Sequence, residues 1–563
     1  MAFQLSPGVL VSEVDLTTVV PSVLTTAGAF AGSFSWGPVN KRILIDSEIT
    51  LVKRFGQPSS TSSSDFFTAA SFLAYGNNLS VVRAANTSSF NATANSSAAS
   101  VQVSNEDVFE ATYLYSNNNN SLGAFIARYP GALGNSLKVS VCDNPSFSAW
   151  DYKAYFSTAP GTSAQAIEAG GLNDEIHIIV LDAGGLFTGS KNAVLETFAF
   201  VSKANDAVNS LGNSNYYKNI IFKQSKYVYA TDPVDYSSTV STWGLNSGTT
   251  FATLSTAKTA TLVNGTSAAA TDGDYQRAYS LFTNGDEIDI SLVITGAASI
   301  STQQYAIDNI SSARKDCVTF ISPPSTAVVN NLGNETVSVV AWASELARSS
   351  SYAVADSGWK YMFDKYNNIY RWVPLNGDIA GLCVYTDTVR DPWFSPAGFN
   401  RGNLKNVVKL SWNPNKTQRD TIYSAGVNPV ATFPGQGTVL YGDKTLQTKP
   451  SAFDRINVRR LFIVLEKAIS TASRYSLFEF NDEFSRGQFV ALVTPFLRDI
   501  QGRRGIYDFK VVCDTTNNTA EVVDANQFIG DIYIKPARSI NFIQLNFVAV
   551  RTGVDFTEVV GKF

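Results

Sequence analysis

With AGAFAGSFSWGPVNKRILIDSEITLVKRFG, residues 27–56, the texture of the chain turns from an extended segment to regular structure. This stretch predicts a strand of small and apolar residues, a Trp-Gly-Pro turn, a second strand, and a short helix stopped by Gly56. The following SSSDFFTAASFLAYG (62–76) offers Ser/Asp caps, then Phe66, Phe67, Ala70, Leu73 and Ala74 at helical spacing. NLSVVRAAN (78–86) reads as a buried strand, so the three pieces together predict a small α/β unit. Upstream, Val9, Val11 and Val14 alternate loosely between Pro7 and Pro21. Such a segment reads as an extended arm that cannot bury its apolar side alone.

Downstream the texture changes twice. Residues 86–121 are rich in Ser and Asn, the composition of linkers and outer loops. From about 122 to 270, LKVSVCD, EIHIIVLD and KYVYATD are separated by Gly/Asn/Ser turns and predict a mostly β insertion. From about 275 the helical period returns. STQQYAIDNISSARKD predicts a helix and CVTFISPP a strand; NETVSVVAWASELARSS predicts a helix with Val337, Val340, Ala341, Ala343 and Leu346 on one face. Pro392, Pro396, Pro414, Pro429 and Pro434 mark 384–450 as a folded but irregular connection. Residues 457–478 form the strongest amphipathic helix, followed by a second around Phe489–Ile500 in which Pro495 predicts a kink or break. Strands GIYDFKVVCD and FIGDIYIKPA come next, and the tail GVDFTEVVGKF is again extended.

Composition narrows the chemistry. The chain has 563 residues, a net charge of −4, only 16% charged residues, 44% hydrophobic residues and one histidine, His177. The charge balance lacks the basic excess of a nucleic-acid binder. A single histidine excludes a multi-histidine metal site. Cys142, Cys317, Cys383 and Cys513 are far apart and form no CxxC pair, which fits buried thiols of a reducing compartment. No signal peptide and no membrane-spanning run are expected. Gly184–Lys191 (GGLFTGSK) resembles a phosphate loop, but Ser190 displaces the Lys, so a surface turn is expected. Pro434–Gly442 lacks the third glycine of a dinucleotide loop, and Asn284–Ile290 lacks calcium-loop spacing. His177 alternates with apolar neighbours and is expected on a strand surface or satisfied in a core. No cofactor, metal or catalytic residue is expected, and the chain does not read as an enzyme.

One charge pattern survives. Arg460, Lys467 and Arg474 recur every seven residues, extended by Arg455 and Arg459, with Arg498, Arg503 and Arg504 at the end of the next helix. A solvated helix face explains the pattern; so does a surface for an acidic partner.

The ordered motifs SPGVLVSEVDLT, AGAFAGSFSWGPVNKRILIDS, YPGALGNSLKVSV, NGDIAGLCVYTDTVRDPWFSPAGFNRG, NPVATFPGQGTVLYGDKTL, INVRRLFIVLEKAI, TPFLRDIQGRRGIYDFKVVCD and SINFIQLNFVAVRTGVDF resemble the tail sheath proteins of contractile-tailed bacteriophages. Roughly 150–270 carries little of the resemblance. It implies an α+β multidomain subunit with an α/β sheath core built from the N-terminal and C-terminal parts of the chain. The expected divisions are an arm over 1–22, core over 23–90, a mostly β inserted outer domain over 91–274, core over 275–450, a tube-facing, strand-accepting domain over 451–545, and a second arm over 546–563. It further implies a homo-oligomer of hexameric rings stacked in a helical sheath, assembled in the host cytoplasm and carried in the virion. Tail tube, baseplate and tail terminator proteins are the implied partners, with neither nucleic acid nor membrane insertion. Contraction would drive the tube through the host envelope. Inter-subunit strand exchange is expected at Val9, Val11, Val14, Phe547, Val550, Val554 and Phe556. Tube contact is expected at Arg455, Arg459, Arg460, Lys467 and Arg474. A phage-derived injection device, bacteriocin-like or secretion-type, would share the machinery, and a β-rich surface fibre is the alternative of another class.

Overall fold

Seven strands form one sheet: Gly28–Gly32 (β1), Arg42–Ile45 (β2), Leu79–Arg83 (β3), Leu292–Ile294 (β4), Val318–Ile321 (β5), Ala353–Asp356 (β6) and Val427–Asn428 (β7), in the order β7-β6-β5-β4-β1-β3-β2. The computed structural model that shows this describes residues 23–115, 122–231, 241–541 and 544. All neighbours run parallel except β2 and β3. Gly28 of β1 lies opposite Leu79 on one side and Leu292 on the other. The central strand thus joins segments from both ends of the sequence. Its small residues have a steric cause, since a Cβ on Gly28 would come within 2.7 Å of the Phe72 ring. Phe72 belongs to the helix Ser63–Leu73 (α1), which packs against Asn376–Val389 (α2). Phe30, Phe66, Phe72, Leu292, Phe320 and Ile379 share one apolar core with Ile456 and Ile463 of the helix Ile456–Ser473 (α3).

The insertion interrupts the chain between β3 and β4. Its four-stranded antiparallel sheet is ordered Ala193–Ser202, Glu175–Asp182, Leu137–Cys142, Lys258–Thr261, beside a pair formed by Phe125–Ala127 and Val228–Ala230. Arg83, at the end of β3, is 3% exposed and donates to the carbonyls of Phe34 (2.9 Å), Gly37 (2.8 Å) and Pro130 (2.7 Å). Trp36 from the Trp-Gly-Pro turn packs edge-on against Tyr129 and Phe187. The core resumes with the helix Asp272–Ser280, whose Ala278 and Tyr279 pack with Ala29, Ala31 and Val82. The boundary expected at 275 therefore falls inside that helix.

Packing separates the chain into one unit ending at Tyr475 and another beginning at Ser476. The helix Ile456–Ser473, which lies in the division expected over 451–545, packs in the core of the first unit. The second unit contains the helix Glu483–Gly502, the antiparallel strands Ile506–Val512 and Asp531–Pro536, and a short helix, Ala520–Asp524.

Three local expectations change. The helix Glu335–Leu346 buries Val339, Trp342 and Leu346, while Val337 is 73% exposed. Trp342 fixes that rotation by donating its indole N–H to Gln303 Oε1 at 3.1 Å. Glu483–Gly502 continues through Pro495 without a break. The proline-rich 384–450 stretch is more regular than expected, holding β7, a helix at Lys416–Ser424 and the hairpin Val430–Phe433/Gly437–Leu440.

The carboxyl ends of the parallel strands are tied by a buried polar network. Asn376 Nδ2 donates to Gly296 O (2.8 Å) and Ser322 Oγ (2.9 Å), and Ser322 Oγ donates to Asp356 at 2.6 Å. Burial pushes the Asp356 carboxyl up to about 8 and that of Asp65 up to about 6. An unfolded Asp titrates near ~3.9, so each group's contribution to stability is complete below that value and is lost as pH rises through its folded pKa. Wild-type thermal stability should fall from about pH 5 to about pH 9, and Asp356→Asn should flatten the fall. Differential scanning calorimetry checks this, and parallel slopes for the two proteins would contradict it.

Candidate functional site

The α3 helix carries the basic residues singled out by their spacing. The structure turns most of them inward. Arg460 is 4% exposed and grips Asp387 with both ends of its guanidinium, at 2.8 and 2.6 Å. The same group donates to Cys383 O (3.3 Å) and to Thr25 O (3.4 Å). Burial opposes its charge, but the Asp387 carboxylate outweighs burial and holds the guanidinium above its ordinary range. Lys467, two turns on, donates to Asp289 (2.6 Å), Ile290 O (2.8 Å) and Ser291 Oγ (3.2 Å). Ser291 Oγ in turn donates to Leu24 O at 2.8 Å. These two basic residues therefore hold the chain at 24–25, where it enters the core.

The other members differ. Arg459 is sandwiched between the rings of Tyr352 and Phe453, at 4.1 and 4.0 Å from their centroids. Arg455 stands at the N-terminal boundary of the helix and lies 3.7 Å from Asp443. Arg474 follows the last helical residue and is exposed. The expectation of one solvated basic stripe is thus corrected. Residues 460 and 467 lie toward the face that packs Ile456, Ile463 and Leu465, and carboxylates and carbonyls neutralise them there.

In the second unit, Ile506–Val512 and Asp531–Pro536 pair only with each other among the described residues, so each presents an outer edge. Such edges take an added strand through main-chain hydrogen bonds. Val9, Val11, Val14, Phe547, Val550, Val554 and Phe556 lie outside the described residues.

The remaining chemical candidates are structural. His177 is fully buried and stacks on Phe156; its Nε2 donates to Thr158 O (2.8 Å) and its Nδ1 accepts from Phe200 N (3.1 Å). Burial lowers its pKa, consistent with a neutral ring using both nitrogens. The Gly184–Lys191 turn wraps the Asp182 carboxylate, which accepts from the amides of Leu186, Phe187 and Thr188. All four cysteines are free and buried. The crevice at the carboxyl ends of the strands, where open α/β sheets bind ligands, is crossed by the Asn376 hydrogen bonds. No helix among the described residues is long and apolar enough to cross a membrane. Asp387 and Arg83 escaped the sequence reading. Asp387 lies 73 residues from its partner, and nothing in the local pattern of either residue marks a long-range bond.

Comparison with known proteins places this arrangement. A model described as the Gp18 domain III N-terminal region of the tail sheath protein matches residues 26–84. The phage tail sheath central domain matches 268–446, and the C-terminal domain matches 448–549. The tail sheath protein of Vibrio phage KVP40 is 34% identical, covering 99% of this chain and 100% of its own. That of Enterobacteria phage T4 is 32% identical, covering 99% of each. A sheath tail protein of Listeria innocua shares the fold with a TM-score of 0.53 at 11% identity, covering 92% of this chain and 96% of its own. The contracted PVC sheath of an extracellular contractile injection system does so with 0.51 at 12% identity, covering 99% and 100%. The fold is that of contractile-sheath subunits. The chain belongs to the phage tail sheath family and is a structural component of a phage tail or phage-like particle; its relatives are structural proteins rather than enzymes.

Breaking a buried ion pair by removing one partner typically costs about 3–5 kcal/mol. Arg460→Met should therefore lower stability by about that amount, and adding Asp387→Leu should recover much of it. Urea unfolding measures both; a single variant that melts with the wild type would contradict the clamp.

Proposed function

We propose that this chain polymerises as stacked hexameric rings around a phage tail tube and contracts to drive that tube through a host envelope during genome delivery. The observation that carries the reading is the two-stranded sheet of the second unit, with an outer edge on each strand among the described residues. Arms over 1–22 and 546–563 supply strands for neighbouring copies, with Val9, Val11, Val14, Phe547, Val550, Val554 and Phe556 selecting the register. Donor and acceptor patches differ, so the contact is heterologous and propagates instead of closing as a dimer. During contraction the subunits move as rigid bodies while the arms keep the mesh connected. Tube, baseplate and tail terminator proteins are the partners, and assembly takes place in the host cytoplasm. A virion is favoured over an injection device because the relatives that match along the whole chain at 34% and 32% identity are phage proteins.

The tube contact is reassigned within the basic set. Arg459, Arg460 and Lys467 are engaged inside the subunit and Arg455 lies beside Asp443, so of the five residues expected at the tube Arg474 is the exposed one that would meet an acidic tube surface. A contact of this kind is weak and screened by salt, which suits a surface that must release.

Two variants separate these contacts. Deleting residues 1–18 should leave folded monomers that do not polymerise, whereas Arg474→Glu should polymerise alone yet fail to coat tubes. Sedimentation and negative-stain microscopy read both. Intact tubular polymers from the deletion would refute strand exchange, and normal extended tails from Arg474→Glu would refute the tube contact.

A further inference from the structure

The second unit carries a cluster of exposed apolar side chains. Leu477, Phe478, Phe480 and Phe484 are 62%, 104%, 84% and 71% exposed within one short stretch. Together they present on the order of 600 Å², the upper end of what monomers leave open. Acidic residues are interleaved. Glu479 and Glu483 are exposed, and Asp482 caps the following helix by accepting from Ser485 N at 2.8 Å. At the other end of that helix, Arg498 and Arg504 are exposed, and Lys510 is exposed on the strand that follows. With ~1.5 Å of rise per residue, the two ends lie roughly 30 Å apart.

The plain reading of the charges is compensation of the helix dipole, acidic at the start and basic at the end. It accounts for Glu483 and Arg498. It does not account for the exposed rings beside the acidic end.

We propose that the 477–484 segment of one subunit docks onto the Arg498–Arg504 end of the same unit in a second copy, head to tail. Guanidinium groups recognise this combination well, because they stack on aromatic faces while pairing with carboxylates. The occupant is a second copy because the chain carries the complement of its own patch. Opposite ends of one helix cannot meet within a subunit, and a contact between unlike ends repeats into a ring or a helix. The basic end leads directly into the strand Ile506–Val512, so docking there lies next to the sheet edge assigned to arm exchange. The inference rests on the reading that the chain polymerises, but it concerns a different contact from strand exchange.

Charge reversal in the full-length chain tests it, with circular dichroism and melting confirming that each variant folds. Glu479→Lys with Glu483→Lys should lose sedimenting polymer, as should Arg498→Glu with Arg504→Glu. The combination of all four should regain it, because the pairing is restored with opposite sign. Phe478→Ser with Phe480→Ser should also lose polymer. A folded fourfold variant that stays monomeric overturns the inference. So does a Phe478→Ser/Phe480→Ser variant that polymerises like the wild type; if that variant fails only on tubes, the patch belongs to the tube protein. If polymers survive deletion of residues 1–18 but respond to the charge swap, the strand-exchange reading falls and the head-to-tail contact stands.

Discussion

The pair formed by Arg460 and Asp387 joins three distant parts of the chain. Arg460 comes from α3, Asp387 from α2, and Thr25, which accepts from the same guanidinium, from the start of the described chain. The attraction within a buried ion pair repays desolvation only where the geometry is good and further hydrogen bonds satisfy the remaining polar atoms. Both partners are buried here, the Asp387 side chain being 5% exposed beside a guanidinium that is 4% exposed. The core is therefore closed by a bond between residues that are remote in sequence. The same helix holds the chain at residues 24–25, through Arg460 on Thr25 O and through Lys467 and Ser291 on Leu24 O.

Arg83 does comparable work for the insertion. A guanidinium without water needs acceptors, and the acceptors here are carbonyls of the β1–β2 connection and of the Tyr129–Pro130 turn. Burial lowers its pKa to about 9. The insertion is consequently fastened where it leaves the core, and Trp36 reaches from the core into the insertion's own apolar cluster.

Much of the architecture was legible from local patterns. Gly56 ends its helix with φ at 78°, and Ser47 caps the start by accepting from Thr50 N, as the turn chemistry implies. The strands of 27–45 and 79–83 follow from small and β-branched residues between turn signals. Their neighbours in the sheet do not, because β4 returns after some two hundred residues of insertion and no local period encodes that return. The helix Glu335–Leu346 was rotated wrongly in the sequence reading for a related reason. Valines at 337 and 340 look like a core face, yet the hydrogen bond from Trp342 to Gln303 selects another. The heptad of Arg460, Lys467 and Arg474 was visible, while its inward direction depended on Asp387 and Asp289, which no spacing links to it. Low overall charge was informative in the end because several of the few charges present are buried in specific pairs.

In the proposed assembly, residues 1–22 of one subunit pair with the open sheet of a neighbouring copy. Cysteines placed at Val11 and Tyr533 test it directly, through oxidation of assembled polymers followed by non-reducing electrophoresis. A ladder of covalent multimers is expected, absent when only one of the two cysteines is introduced. Monomers alone, from polymers that assemble normally, would contradict it.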